Sequence, residues 1–425
     1  MKQYEFNKAI KKQVLVFVIL FFGLFFMSEA GDVKRGWNIG ALPAIGYVSD
    51  LGFQYGALCD LFYYGDGSKF PQYVHKFSFQ ASRYTKGSGI FHFFYDSKFL
   101  IPSLRVTLAA SYLPDKMKGF YGFNGYASPY DDQFNTAFYA IDRKMTRILA
   151  NVQGNISGGF SWAAGVNFWN YKIDRVNDEE YVVNETLYDI YVNSGIIGQD
   201  EANGGACFEL KAGLIYDTRD FEPAPSKGLY AELIAYGSPD LIERKDNAYL
   251  KLSAQVCNYI PLVNDKLVFA TRAVYQGTIA GLPPFYMQQN ISTLYLRQIN
   301  NEGLGGVNTI RGVLFNRLVG DGYFWCNSEL RWKAFNFKFL KQDWYCGMNP
   351  FLDFGRVVQS YKLDDIKESN SLFVYSGHSE KMHLSAGLGL KAAMNRNFVI
   401  SIEWAKPFEK SDGKQGLYFG LNYIF

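Results

Sequence analysis

The feature that most constrains this chain is an alternation of apolar and polar residues that recurs along most of its length. Within 249–260, Leu250, Leu252, Ala254 and Val256 share one face, and Lys251, Ser253, Gln255 and Cys257 share the other. Phe398, Ile400, Ile402 and Trp404 oppose Ser401 and Glu403. Leu417, Phe419, Leu421, Tyr423 and Phe425 oppose Gly420 and Asn422. A period of two is the mark of a strand with one apolar face. The pattern predicts strands near 38–47, 52–64, 73–85, 88–99, 103–113, 138–153, 158–173, 206–216, 228–237, 248–260, 266–277, 322–335, 344–356, 382–393, 398–407 and 416–425. That is about 16, an even number as a bacterial single-chain barrel requires.

A soluble sandwich shows the same period, so the alternation alone does not choose a solvent. Two further features do. Lys2, Lys8, Lys11 and Lys12 precede an apolar run from Val14 to Met27, and Ser28-Glu29-Ala30 follows. This reads as a secretory signal peptide over 1–30, too short for a membrane span. It leaves 31–425 as one barrel domain, with only Gly31 to about Trp37 ahead of the first strand. The second feature is composition. Aromatics reach 18%, with 31 Tyr and 37 Phe, yet mean hydropathy is only −0.11. A barrel strand shows lipid with every second residue, which gives this mixture without a long apolar segment.

Loop parity tests the count. With both termini in the periplasm of a bacterial outer membrane, odd-to-even connections face outward and should be the long ones. The long connections are 114–137, 174–205, 278–321 and 357–381, and all four fall on that side. Opposite connections such as 101–102 and 263–265 are tight, and Thr218–Lys227 is longer than its neighbours.

Charge and cysteines exclude more than they assign. The leader's four lysines against Glu5 and Glu29 account for +2 of the net +3, so the remainder is near neutral. That argues against a nucleic-acid partner and gives no net electrostatic pull toward anionic lipid. The five cysteines carry no CxxC; Cys326 and Cys346 fall on adjacent predicted strands, which allows a bridge. The four histidines build no His-Glu-x-x-His motif, and no Gly-x-Ser-x-Gly is present. His378 and His383 flank Glu380 near Asp364 and Asp365, and this cluster reads as a solvated polar loop. No catalytic residue, metal or cofactor is expected.

The longest connection ends in Gly303-Leu304-Gly305-Gly306-Val307-Asn308-Thr309-Ile310-Arg311-Gly312-Val313. Glycine lets such a loop turn back sharply into a narrow lumen. A buried guanidinium then needs a carboxylate, best held in bidentate geometry. The candidate is Asp353 in Phe351-Leu352-Asp353-Phe354-Gly355, which alternation turns toward the lumen with Tyr345, Asn349 and Phe351. Glu329 and Arg331 on the preceding strand face the same way.

These residues resemble two motifs of the BamA/TamA (bacterial surface antigen) superfamily of outer-membrane barrels. The loop motif is carried by Gly305, Gly306, Ile310, Arg311 and Gly312, with Val313 where the family usually has an aromatic. The strand motif is carried by Phe351, Asp353 and Gly355. Tyr216–Asp220 with Pro223, Pro225 and Gly228 resembles the family's periplasmic turn, and Ala44–Tyr47 with Asp50-Leu51-Gly52 its opening hairpin. Gly420, Tyr423 and terminal Phe425 match the C-terminal signal of outer-membrane barrels. The resemblance implies a barrel whose sixth outer loop folds into the lumen, clasped by Arg311, Asp353 and Glu329. It also implies a weak seam between first and last strands. The implied role is outer-membrane protein assembly or transport, beside membrane lipid, the assembly machinery and periplasmic or lipoprotein subunits. The family's periplasmic POTRA modules have no counterpart in this sequence. A passive channel or structural subunit, and lipid handling through the same seam, are the rival readings.

Overall fold

The computed structural model describes residues 33–425 except 71, 129, 177–183, 223, 240–246, 265, 292–300, 340–341, 362–377 and 395–397. The expected signal peptide, Pro223, Asp364 and Asp365 lie outside the described residues.

One antiparallel sheet closes on itself. Its strands are β1 in two pieces (Trp37–Pro43 and Gly46–Val48), β2 (Gly52–Tyr63), β3 (His75–Tyr84), β4 (Gly89–Ile101), β5 (Leu104–Gly119), β6 (Ala140–Ser157), β7 (Phe160–Arg175) and β8 (Ala206–Asp217). They continue as β9 (Gly228–Ser238), β10 (Tyr249–Val263), β11 (Leu267–Gly281), β12 (Gly322–Phe339), β13 (Gln342–Gln359), β14 (His383–Met394), β15 (Phe398–Pro407) and β16 (Gly416–Leu421). Each strand pairs with its sequence neighbours, and β16 returns to the second piece of β1. The all-β, 16-strand reading therefore holds.

The faces are inverted relative to a soluble protein. Ile148, Leu210, Leu214, Leu233, Val256, Leu390 and Ile402 are outward and exposed, while Arg147, Glu209, Lys251, Arg272 and Asp353 are inward and buried. An exposed apolar band this large has no stable place in water, and it fits the lipid-facing belt of a membrane barrel.

The two ends differ. At one end the connections are mostly short. Gly158 and Gly159, with φ of 57° and 89°, make the two-residue turn between β6 and β7 that a right-twisted hairpin favours. The connection 64–74 and the turn 218–227 are the longer ones there. The opposite end carries 120–139, 176–205, 282–321 and 360–382. The strand boundaries move outward by a few residues from the expected ones, since β5 runs on to Gly119 and β6 to Ser157.

Two expectations change at the closing strands. Predicted strand 416–425 stops at Leu421. Asn422 takes a left-handed conformation (φ 68°), and the last residues leave the sheet for the lumen. Predicted strand 38–47 breaks after Pro43, which offers no N–H to continue a ladder. The cysteines are all free: Cys326 faces Phe354 in register, several rows from Cys346, so the bridge does not form.

An aromatic cap closes the lumen at the long-loop end. Helix Leu187–Asn193 is started by a capping box between Thr186 and Asp189. It buries Leu187, Tyr188 and Tyr191 against Phe120, Phe123 and Phe138 from the third loop. Phe285 and Tyr286 from the sixth loop complete the cluster.

Candidate functional site

The sixth loop, 282–321, enters the lumen and is fixed there by charge. Arg311 is fully buried. Its Nε donates to Asp353 Oδ2 at 2.7 Å and its Nη2 to Asp353 Oδ1 at 2.8 Å, with its backbone N–H on Oδ2 at 3.1 Å. Nη1 reaches Glu329 at 2.7 Å and Glu403 at 3.1 Å. The guanidinium lies over the Phe351 ring, 3.4 Å from its centroid. Arg331 donates to Glu329 at 2.8 Å, and Lys391 to Glu403 at 2.6 Å. Three cations thus face three carboxylates. That balance makes a buried cluster tolerable where an isolated charge would be expelled.

The motif glycines have separate steric jobs. Gly312 has φ 89°, and a Cβ there would stand 3.0 Å from Ala405 on β15. Gly305 has φ 115°, and a Cβ would meet Leu314 O at 2.0 Å; Gly306 also has positive φ and faces Phe315. Thr309 closes the turn by accepting from the Gly305 N–H at 2.8 Å. Ile310 packs with Leu304, Val313, Tyr323, Trp325 and Val357, and Gly355 leaves it room on β13. Val313 is itself buried in that cluster, so valine fills the position that an aromatic usually takes in the family.

Sequence reasoning brought Arg311, Asp353, Glu329 and Arg331 together but missed Glu403 and Lys391. Their signal was there in weaker form: both are charged residues on the lumen face of strands whose other face is apolar. It also missed a second anchor. Glu302 receives Lys118 at 2.5 Å and also pairs with Arg143, while Arg143 lies 3.6 Å from Asp115. Lys118 and Arg143 are inward cations on β5 and β6, so their need for a carboxylate was legible; which loop supplied it was not. The sixth loop is therefore pinned to two separate stretches of wall.

Loop tip and seam meet. The seam has two residue pairs in register, Tyr418 with Val48 and Phe419 with Tyr47. Its neighbour β15–β16 has six, and β6–β7 has sixteen. Ser49 adds a staple, accepting from Leu417 N–H at 2.7 Å through Oγ. Behind the seam, Tyr418 of β16 accepts from the Gly312 N–H at 2.9 Å. Val307 of the loop and Val48 of β1 both pack against the cluster of Phe351, Ala405 and Tyr418. Asp50, at the β1–β2 tip, lies against the backbone of Phe315. Burial raises the Asp50 pKa, and the nearby Phe315 backbone, Lys86 and Lys118 oppose the rise. The sixth loop so touches both sides of the seam. A cavity of about 1010 Å³ opens beside it, bordered by Asp50, Tyr121, Phe315, Trp404 and Lys410.

The C-terminal residues lie elsewhere than expected. Tyr423 and Phe425 hold Arg331 between them, with ring centroids 4.2 and 4.7 Å from its guanidinium carbon. Arg331 Nη2 also donates to Phe425 O at 2.7 Å. Gly420 stays in β16 opposite Ser401. The predicted alternation of these residues along a final strand is thus replaced beyond Leu421 by a tuck into the lumen.

The histidine cluster needs correction too. His383 is buried, not solvated. It pairs with Asp412 at 2.7 Å and Glu380 at 3.3 Å, and stacks on Tyr126 at 3.8 Å. Glu380 accepts the N–H groups of Tyr126 and Val357. The group knits the third, seventh and eighth loops together; His378 stays at the surface. Among the described residues, no cluster suited to a metal ion is present.

At the turn end, Arg219 grips Asp217 at 2.9 and 2.7 Å and lies over Tyr230. Asp220 accepts from Ser226 and Lys227 N–H. Partial burial opposes ionisation, but the Ser226 hydroxyl and these N–H groups hold its pKa below the ordinary value. Gly228 (φ 106°) closes the turn where any Cβ would strike Thr218 O.

A closed, inside-out barrel plugged by an arginine-clasped loop is a membrane barrel of the kind built around a thin seam. The chain belongs to the Omp85 superfamily, whose domain model matches residues 75–425. No curated protein matches it in sequence. A solved BamA from Haemophilus ducreyi lacking POTRA domains 1–3 is 18% identical with a TM-score of 0.57, over 92% of this chain and 70% of that one. CdiB from Escherichia coli is 12% identical with a TM-score of 0.54, over 92% of this chain and 63% of that one. These likenesses show the fold. Membership of the Omp85 superfamily supports a bacterial outer-membrane place.

Proposed function

We propose that this barrel inserts or passes polypeptide through the β1–β16 seam, with the sixth loop as a strap that holds the seam shut from inside. The observation that carries this reading is a two-residue seam backed by a loop that bonds Tyr418 on one side and shares an apolar cluster with Val48 on the other. Each lost strand hydrogen bond lowers the opening free energy by about 0.5–1.5 kcal/mol. A seam this short is the cheapest place to part the sheet. The neighbouring cavity gives an emerging segment room on the loop side.

In this reading both termini are periplasmic and the long loops face outward. Partners are membrane lipid, client chains and periplasmic or lipoprotein subunits that deliver them. No catalytic step is assigned. The aromatic cap counts against a standing open pore. Depletion of the protein, with quantification of outer-membrane proteins and lipids, tests the reading. Loss of particular outer-membrane or secreted proteins with unchanged lipid is the expected result. Unchanged proteins with altered lipid would move the assignment to lipid handling.

A further inference from the structure

The near-neutral net charge conceals a segregated surface. The outward faces of β8 to β11 run through Ala206, Phe208, Leu210, Leu214, Leu229, Leu233, Leu250, Val256, Phe269 and Tyr275 without a charged side chain. The outward faces of β3 and β5 to β7 are apolar in mid-membrane too, at Phe79, Leu108, Tyr112, Ile148 and Val166. At their loop ends, however, they carry Arg83, Lys116, Lys144 and Lys172, all exposed.

These cations stand in an unfavourable arrangement for a bare barrel. Lys144 and Lys172 are direct register partners, and like charges opposite one another on a strand pair repel. Lys144 makes one loose contact, 3.7 Å to Asp142. Lys116 and Lys172 have no ion pair among the described residues. The stem of Lys116 is laid over Gly87, where a Cβ would be 3.0 Å from it. Lys144 and Lys172 share one row, and Lys116, in the bulge between Asp115 and Lys118, stands one row further out on the neighbouring strand, so the three span about 12 Å. Lys144 lies four residues, about 13 Å along the strand, from the mid-membrane Ile148, at the edge of the apolar belt. Two residues further out, Asp142 faces Asp174, and Lys116, in the β5 bulge opposite Asp142, offsets the negative charge of that row.

We propose that the loop end of β5–β7, on the lipid-facing surface, is a binding site for a phosphorylated lipid headgroup, with Lys116, Lys144 and Lys172 as its phosphate ligands. Ammonium–phosphate contacts are charge-assisted and strong. Two phosphates on one headgroup would bridge the Lys144–Lys172 pair and Lys116, about 12 Å end to end. Acyl chains of such a lipid would run down past Tyr112, Ile148 and Val166. The proposal rests on the outward orientation above for where this lipid is met, but its test does not.

The test uses the purified full chain in neutral detergent, titrated with diphosphoryl lipid A and read by native mass spectrometry and thermal unfolding. The triple variant Lys116→Gln, Lys144→Gln, Lys172→Gln should bind at least about tenfold more weakly. Lys172→Gln alone should unfold no earlier than wild type without lipid, because it removes a repulsion, and should gain less stability when lipid is added. Lys338→Gln, at the turn end, should bind as wild type. Equal binding by the triple variant, equal binding of the fully dephosphorylated lipid, or displacement by millimolar inorganic phosphate would each overturn the proposal. If the triple variant misfolds, the single variant decides by the same two readings. Failure of the transport reading leaves these outcomes unchanged.

Discussion

Removing both partners of the Arg311–Asp353 pair should cost clearly less than the sum of the two single removals. Asp353→Ala takes two charged contacts and one backbone bond from Arg311 in a site with no access to water. Breaking a buried pair one-sidedly costs about 3–5 kcal/mol. The lower end applies here, because Glu329 and Glu403 still face the guanidinium. Arg311→Ala leaves three carboxylates against Arg331 and Lys391, so its cost falls toward the upper end. The double variant restores two cations to two carboxylates. Its loss should therefore be smaller than the sum of the single losses by about 2–3 kcal/mol. Urea unfolding in detergent, followed by heat-modifiability on gels, gives the three values, and limited proteolysis of the sixth loop reports where the loss falls. Additive losses, or single variants that unfold with wild type, would refute the clasp.

Further outcomes follow from the same geometry. Tyr418→Phe deletes the acceptor for Gly312 N–H and should cost about 1 kcal/mol, seen as faster cross-linking of cysteines placed across the seam. Gly312→Ala forces a side chain into positive φ against Ala405; about 1–3 kcal/mol of strain should free the loop tip to protease. The lowered pKa of Asp220 means that its stabilising bonds are complete above its ordinary value and are lost as pH falls through the folded one. Protease nicking of 218–227 should therefore rise only below about pH 4, and Asp220→Asn should remove that pH dependence.

How much of this was legible follows from the physics of each feature. Alternation is imposed by lipid on one face and lumen on the other, so the strands and their parity could be read directly. Arg311 and Asp353 were legible because glycines and a motif surround them. Glu403 and Lys391 look like any lumen-lining charges: they are diagonal neighbours on β15 and β14, 2.6 Å apart, and Glu403 comes within 3.1 Å of Arg311 only because the sixth loop folds into the lumen. The C-terminal tuck was hidden for the opposite reason. Tyr423 and Phe425 keep the alternating pattern of a strand, yet Arg331 draws them inward by stacking between their rings. His383 was misread because its partners, Asp412 and Tyr126, come from loops distant in sequence.

The central claim is that the β1–β16 seam opens in use. Tyr47 and Phe419 are register partners there, and antiparallel partners lie about 4.5–5.5 Å apart at Cα, within reach of a disulfide. The measurement places Tyr47→Cys and Phe419→Cys in a chain whose five native cysteines are replaced by serine, in cells depleted of the wild-type protein. Levels of the proteins lost on depletion are then compared with the pair oxidised and reduced. The account predicts a folded, heat-modifiable barrel that fails when oxidised and recovers when reduced. A locked barrel that sustains those levels as well as the reduced one would contradict it.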